Sequence, residues 1–152
     1  MKKATFIVIT LLLFACAFFI YLEKRHTTVI TTHQIGDVAV IFVDHLPITY
    51  HSRIKWWYSH IDNITENYHI VSKSPEGMFS YSVYAFGKGY KKEGKEDRLC
   101  FDDMPSPDNC VDKNVLLNVM PMNSGDDKFF FDNAIYISNK NGNIHRVYDR
   151  LK

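Results

Sequence analysis

The sequence has almost no excess of charge of either sign. Its 18 lysines and arginines nearly balance 17 aspartates and glutamates, so the formal net charge of the 152 residues is +1. Five of these charges flank an N-terminal apolar segment: Lys2, Lys3, Glu23, Lys24 and Arg25. Without them 14 basic and 16 acidic residues remain. A region near −2 offers no basic face to phosphates, so the composition argues against nucleic acid as a partner.

Signatures of catalysis and of cofactor binding are also missing. No serine stands in a G-x-S-x-G elbow, and the glycines of 87–89 lead into charged residues instead of a helix N-terminus. His51, His60 and His69 are nine residues apart, a spacing that keeps them off one helical face. Three cysteines without further ligands make no zinc site. We therefore expect no enzyme, no cofactor and no metal site.

Four aspartates near the second and third cysteines come closest to a cation site. Their carboxylate oxygens suit a hard cation, but the pattern lacks the ordered alternation and the glycine of an EF-hand. These residues are Asp102, Asp103, Asp108 and Asp112. We expect a solvated acidic loop, and bound calcium is the alternative.

Long apolar runs are confined to one segment, residues 4–22, which holds 19 residues without a formal charge. A helix needs about 20 such residues to cross the hydrocarbon of a bilayer. The run predicts an uncleaved anchor over residues 1–26 that contacts the lipid bilayer through residues 4–22. Two alternatives stay open, a signal cleaved at 15–17 and a lipoprotein box ending at Cys16. The apolar residues 18–22 argue against both, because a cleaved signal turns polar there.

Cysteine is scarce, yet Cys100 and Cys110 flank a segment rich in proline that is typical of a turn. We predict a disulfide between them, with Cα atoms roughly 4.4 to 6.8 Å apart and a contribution of roughly 3 kcal/mol. Such a bond suits an oxidising compartment, which favours a periplasmic C-terminal region and a cytoplasmic N-terminus. Cys16 should take no part. Two free buried thiols are the alternative.

The remainder predicts a domain over residues 27–152 with alternating strands and one helix. β-branched and apolar residues indicate a hairpin over 27–34 and Val38–Val43, and apolar residues three and four apart indicate a helix with Ser52 as N-cap. Further strands are predicted over 78–86, 98–101, 115–120 and 129–137, and Asn141-Gly142 predicts a hairpin at the C-terminal end. The fold class is α+β, an N-terminal transmembrane helix followed by an antiparallel sheet with one packed amphipathic helix.

One tryptophan does not fit the predicted helix. Trp57 lies in its apolar stripe, whereas Trp56 points about 130° from the centre of that stripe at 100° per residue. We predict that Trp56 is exposed and anchors a protein partner. The alternative is that a neighbouring strand or loop covers it.

Four segments carry a resemblance to a known family: 54–57, 86–91, 97–104 and 109–114. With these motifs in this order behind a single anchor, the chain resembles the enterobacterial putative membrane proteins, a family of unknown function. The resemblance extends from the anchor to about Asn114 and is most specific over 86–114. It implies a small single-pass protein of the inner membrane of a Gram-negative bacterium, and it supplies no activity and no functional residues.

Two classes of function remain. The first is a non-enzymatic binding or interaction module of the envelope that holds a protein partner, and an immunity-type inhibitor of a toxin is one form of it. The second is a periplasmic hydrolase whose site is assembled from Asp and His residues by the fold. The absence of catalytic motifs favours the first class.

Overall fold

The computed structural model describes residues 2–68, 70 and 79–149. Within these residues the elements follow one another as α1 (Lys2–Lys24), β1 (Val29–Ile35), β2 (Val38–Val43), α2 (Tyr50–Asn67), β3 (Ser80–Ala85), β4 (Arg98–Cys100), β5 (Cys110–Asp112), β6 (Val115–Pro121), β7 (Asp127–Phe130), β8 (Ala134–Ser138) and β9 (Ile144–Asp149).

Helix α1 is the predicted apolar segment. Its most apolar window has a mean hydropathy of 2.6, and none of that window is buried against the rest of the protein. Among the described residues it is the one helix long and apolar enough to cross a membrane. Cys16 is exposed on this helix and forms no disulfide, as predicted. The predicted helix is confirmed.

Seven strands form one sheet in the order β1-β2-β3-β6-β7-β8-β9. Neighbouring strands are antiparallel except β2 and β3, which run parallel because α2 crosses over between them. The prediction of an α+β fold is confirmed, and the parallel pair is the departure from an all-antiparallel sheet. The β1–β2 hairpin is also confirmed, and its turn uses Gly36 at φ 55°, which favours glycine.

Helix α2 begins earlier than the sequence suggested. Its N-cap is Thr49, whose hydroxyl accepts a hydrogen bond from the backbone N–H of Ser52 at 3.3 Å. The prediction of Ser52 as N-cap is therefore wrong, because Thr49 already occupies the capping position three residues before it. Ile54, Trp57 and Ile64 are buried on the sheet side of α2, as the spacing indicated.

The predicted strand over 129–137 is two strands. β7 ends at Phe130 and β8 starts at Ala134, and Asp132 and Asn133 lie in the turn between them. Both residue types favour turns over strand interiors, so the break has a local cause. The hairpin at Asn141-Gly142 is confirmed, with Gly142 at φ 86°. The first residue of the strand predicted over 78–86 lies outside the described residues.

Each face of the sheet carries its own apolar cluster. The inner face packs against α2, with Ile41, Val83 and Leu117 in the cluster. The outer face is covered over β1, β2 and the end of β3 by the two-stranded sheet β4–β5, here called the clasp. The cluster beneath the clasp is built from Val40, Phe42, Phe101 and Val111. We call this the covered half of the outer face.

The rest of the outer face, from the start of β3 through β6, β7 and β8, is the open half. Its outward side chains are half-buried or exposed; Met120, for example, is 47 % exposed. Strand geometry sends alternate side chains to opposite faces, so Phe129 of β7 enters the inner core while Phe130 faces outward. No described element lies over this half as the clasp lies over the other.

Trp56 departs from the prediction. It is 7 % exposed and belongs to the inner core, so the expectation of an exposed Trp56 is wrong. The residues that leave α2 and enter β3, Ile70 and Phe79, join the same cluster, so apolar burial extends beyond the stripe seen on the helical wheel. The ring stacks on His60 with centroids 5.0 Å apart. A role in binding a partner was argued from exposure and stays a prediction without that support.

Candidate functional site

The predicted disulfide between Cys100 and Cys110 is present. The two residues lie directly opposite each other in the clasp, with Cα atoms 3.9 Å apart, which is closer than predicted. The backbone N–H and C=O of Cys110 bond to Lys91 on its other side. Cys100 and Cys110 therefore form a non-hydrogen-bonded cross-strand pair, the type in which strands approach most closely.

Charged side chains hold the clasp beside the disulfide. Asp112 of β5 pairs with Lys91 and also accepts a hydrogen bond from Arg98 Nε at 3.0 Å. The hydrogen bond from Lys91, followed by that from Arg98, lowers the pKa of the Asp112 carboxyl below its usual range. The charged Asp112 side chain thus links Lys91 and Arg98 and helps to hold the clasp together.

His33 of β1 joins the clasp to the sheet. Its Nδ1 donates to Asp103 Oδ2 at 2.9 Å, and the Tyr90 hydroxyl lies 2.6 Å from its Nε2. We assign the tautomer from these neighbours, since a carboxylate can only accept and the phenol then donates to Nε2. The Phe101 ring stacks on the imidazole with centroids 3.9 Å apart. His33 is 9 % exposed.

An imidazole between a carboxylate and a hydroxyl has the connectivity of a general-base site. Here the free nitrogen is taken by Tyr90, and Phe101 covers one face of the ring. Neither of the two clefts described below is lined by His33, Tyr90 or Asp103. The contacts of His33 with Asp103, Tyr90 and Phe101 hold the clasp against β1. Sequence reasoning missed this cluster because its members are 57 and 70 residues apart, with no local motif.

The four loop aspartates do not converge. Asp103 binds His33, and Asp112 binds Lys91 and Arg98. Within the ranges that the structure describes, no group of three or more His, Cys, Asp or Glu residues could hold a metal ion. Of the three evenly spaced histidines, His51 contacts the Tyr136 ring at 5.5 Å, His60 stacks on Trp56, and His69 lies outside the described residues.

The open half contains a recess of about 490 Å³, which we call the open cleft. Its floor combines neutral polar groups with apolar side chains: Ser80, Ser82, Asn118, Met120, Phe130 and Ile135. Ser82 Oγ donates to Asn118 Oδ1 at 2.7 Å across β3 and β6. Of the described residues that line the cleft, Asp132 is the one that carries a charge. Such a lining suits the apolar and hydrogen-bonding groups of a partner better than it suits proton-transfer chemistry.

The last turn of α1 is fastened to the first turn of α2. Glu23 accepts hydrogen bonds from the backbone N–H of Ile48 at 2.8 Å and of Thr49 at 3.2 Å, and from the Thr49 hydroxyl at 2.5 Å. Next to it, Arg25 Nε donates to His45 Nε2 at 2.9 Å. A carboxylate at a helix N-terminus is favoured by the helix dipole. α1 is therefore attached to the sheet region by side chains as well as by the backbone.

A second recess of about 430 Å³ opens beside this junction, and we call it the junction cleft. It is lined by Ile48, Thr49, Tyr50, Arg53, Leu116 and Asp132. Leu116 and Asp132 also line the open cleft, so the two recesses share a wall.

The fold and the apolar helix define a small membrane protein with one candidate transmembrane helix and an α+β region behind it. The sequence model of the family described as "Enterobacterial putative membrane protein (DUF943)" matches residues 1–148, and the chain belongs to this family. The resemblance noted in the sequence is thereby confirmed. No curated protein and no solved structure matches the chain.

Proposed function

We propose that the protein is a non-enzymatic interaction module, held in the inner membrane by α1, that binds a protein partner in the periplasm through the open cleft. The observation that carries the proposal is the composition of that cleft. Phe130, Ile135 and Met120 present apolar surface, while Ser82 and Asn118 present hydrogen-bonding groups between them. Protein interfaces combine such an apolar centre with satisfied polar contacts.

The disulfide supports the periplasmic placement. Cross-linked cysteines persist in oxidising compartments and are rare in the cytoplasm. The bond lies in a region that follows α1, so an anchor with a cytoplasmic N-terminus delivers it to the periplasm. Alkaline phosphatase fused after Lys152 should be active, and a fluorescent cytoplasmic reporter at the same point should be dark. The reverse pattern would contradict this orientation.

The partner interaction is tested by a pair of matched substitutions. Met120 lines the open cleft, whereas Met122 is two residues further along, 38 % exposed and outside its lining. With a partner captured by the full chain and then purified, Met120→Glu should weaken binding at least tenfold, since a charge would be buried in the interface. Met122→Glu should bind as wild type does. Equal binding by both variants would contradict the proposal.

The hydrolase alternative rests on the link of Asp103, His33 and Tyr90. If this cluster were a general-base site, the purified protein would hydrolyse an ester, phosphoester or peptide substrate, and His33→Gln would abolish that activity. We expect no turnover by wild type, since the His33 imidazole is buried and both of its ring nitrogens are already hydrogen-bonded within the protein. An immunity-type role is one form of the interaction module, and it requires that the captured partner be a toxin whose activity the full chain suppresses.

A further inference from the structure

Because Glu23 lies at the end of α1 and is bonded to the rim of the junction cleft, a membrane spanned by α1 would have its surface beside this cleft. Glu23, in the last turn of the apolar helix, is hydrogen-bonded to Ile48 and Thr49, and these two residues also line the cleft. Ile48 is 41 % exposed, so the rim presents an apolar side chain where lipid glycerol and carbonyl groups begin. A molecule in this cleft would therefore be in reach of the bilayer.

Arg53 supplies a cation with unused donors. Its Nε donates to the Pro47 carbonyl at 2.7 Å and its Nη1 to the Leu116 carbonyl at 3.0 Å. A guanidinium has five N–H donors, and in the described part of the chain the others meet no protein acceptor. Burial lowers the pKa of Arg53, although Tyr50, Asp132 and Glu23 partly offset it. A half-buried guanidinium fixed by two carbonyls is held ready for an anion such as phosphate.

Asp132 supplies the opposite charge within the same cleft. It is exposed and lines the recess with Arg53, yet these two described residues form no ion pair with each other. Tyr50 lines the same cleft, and the Arg53 guanidinium carbon lies 5.9 Å from the centroid of the Tyr50 ring. Its ring stacks on Phe131 at 4.2 Å, and its hydroxyl donates to Asn133 at 2.6 Å. The cleft thus holds a cation and an anion apart on a rigid frame.

We propose that the junction cleft binds the headgroup of a phospholipid that carries a primary ammonium, as phosphatidylethanolamine does. The phosphate lies on the free N–H groups of Arg53, and the ammonium donates to the Asp132 carboxylate. A headgroup with phosphate but no ammonium would leave the Asp132 carboxylate without a donor. A choline headgroup has no N–H to donate. The junction cleft shares Leu116 and Asp132 with the open cleft, but this proposal does not depend on a protein partner being bound there.

The test uses the full chain in phosphatidylcholine nanodiscs that contain trace spin-labelled phosphatidylethanolamine or phosphatidylcholine. The fraction of motionally restricted label gives the relative affinity of the two lipids for the protein. Wild type should prefer phosphatidylethanolamine, and Asp132→Asn should reduce that preference about tenfold, the worth of one charge-assisted hydrogen bond. The matched control is Asp37→Asn. Asp37 is exposed in the turn before β2, whereas the junction cleft begins after the end of β2, so this variant should behave as wild type.

Two further measurements complete the test, one on the variant Arg53→Gln and one with soluble phosphoethanolamine as a competitor. Arg53→Gln should lower the affinity for both labelled lipids, because each carries the phosphate. If loss of the bonds to Pro47 and Leu116 unfolds that variant, Asp132→Asn still decides the question. Soluble phosphoethanolamine should not displace the labelled lipid at comparable concentration, since the bilayer supplies the ligand locally. Equal lipid preference in wild type and Asp132→Asn, or equal competition by soluble phosphoethanolamine, would overturn the proposal.

Discussion

The two halves of the outer sheet face differ in what lies over them. In the covered half the clasp buries Phe42 and Val40 completely or nearly so, and His33 is tied by side-chain hydrogen bonds to Asp103 and Tyr90. In the open half Phe130 and Ile135 stay half-buried and line a cleft. The outer face of one sheet thus carries a second core over β1 and β2 and a recess over β3, β6, β7 and β8.

In the function proposed above, the covered half serves the stability of the fold and the open half serves the binding of a partner. Burying apolar surface contributes roughly 25 cal/mol per Å², so the covered half adds to the free energy of unfolding, whereas the apolar surface of the open half would contribute only if the proposed partner covered it. Exposed apolar surface that a protein keeps despite this cost is a feature of interaction sites. Four substitution experiments test whether the two halves differ in this way.

The largest effect is expected from truncating the aromatic side chain in each half. Phe42 is fully buried beneath the clasp, so Phe42→Ala should reduce the free energy of unfolding by about 3 to 5 kcal/mol. Phe130 loses only part of its surface to the protein, so Phe130→Ala should cost about 1 kcal/mol. Denaturant unfolding of both variants measures this. Equal losses would mean that the open half is as much core as the covered half.

Removal of the disulfide should affect the covered half alone. The variant Cys100→Ala/Cys110→Ala should lose about 2 to 4 kcal/mol from the free energy of local opening of the clasp, because the opened clasp is no longer cross-linked between its two strands. Hydrogen exchange should rise in the clasp and at His33 and remain unchanged in β7 and β8. Cys16→Ala is the control and should leave exchange as in wild type. Faster exchange throughout the sheet would show that the two halves are not separable.

The link between β1 and the clasp should contribute less. Asp103→Asn removes the charge that His33 Nδ1 contacts at 2.9 Å, and we expect a loss of about 1 kcal/mol because Asp103 is largely exposed. The neighbouring Asp102→Asn provides a matched control on an exposed side chain and should be neutral. Thermal unfolding compares the two. A neutral Asp103→Asn would mean that packing alone holds the clasp.

Two aspartates should give the smallest and oppositely signed effects with pH. The Asp112 pKa is lowered by hydrogen bonds from Lys91 and Arg98, so its stabilisation is present above the usual value of 3.8 and is lost as the pH falls through the lower folded pKa. Burial raises the pKa of Asp127 in β7, so the folded state loses stability as the pH rises from 3.8 through that higher value.

The corresponding variants give the readout. At neutral pH Asp112→Asn should unfold more readily than wild type, and Asp127→Asn less readily. Stability curves measured between acid and neutral pH should therefore move in opposite directions for the two variants. If both variants changed stability in the same direction, hydrogen bonds could not be the main influence on the Asp112 pKa while burial is the main influence on the Asp127 pKa.

Local patterns were sufficient to predict much of the fold. The apolar run gave α1, spacings of three and four gave α2, and Asn141-Gly142 gave the last hairpin, because each of these signals acts within one element. The wrong N-cap at Ser52 and the undivided strand over 129–137 had local causes, whereas other failures did not. Trp56 belongs to the inner core although it lies outside the apolar stripe of α2, and the three-residue β5 has too few residues to show a period.

The candidate sites were less predictable for the same reason. The disulfide between Cys100 and Cys110 could be predicted because the two cysteines are only ten residues apart in the sequence, on either side of a turn. The recesses could not be foreseen, since the open cleft takes residues from β3, β6, β7 and β8, and the junction cleft joins α2 to the β7–β8 turn. The order of the strands in the sheet depends on the parallel crossover through α2. No local sequence pattern encodes that pairing of β2 with β3.

The central claim, that the open half of a periplasmic region holds a protein partner, is tested most directly by photo-crosslinking in growing cells. A photoreactive side chain replaces Met120 in one strain and Met122 in another, each in the full chain. The account predicts one adduct of defined mass with a periplasmic or membrane protein from position 120, and none from position 122. Equal adducts from both positions, no adduct from position 120, or an adduct with a cytoplasmic protein would contradict it.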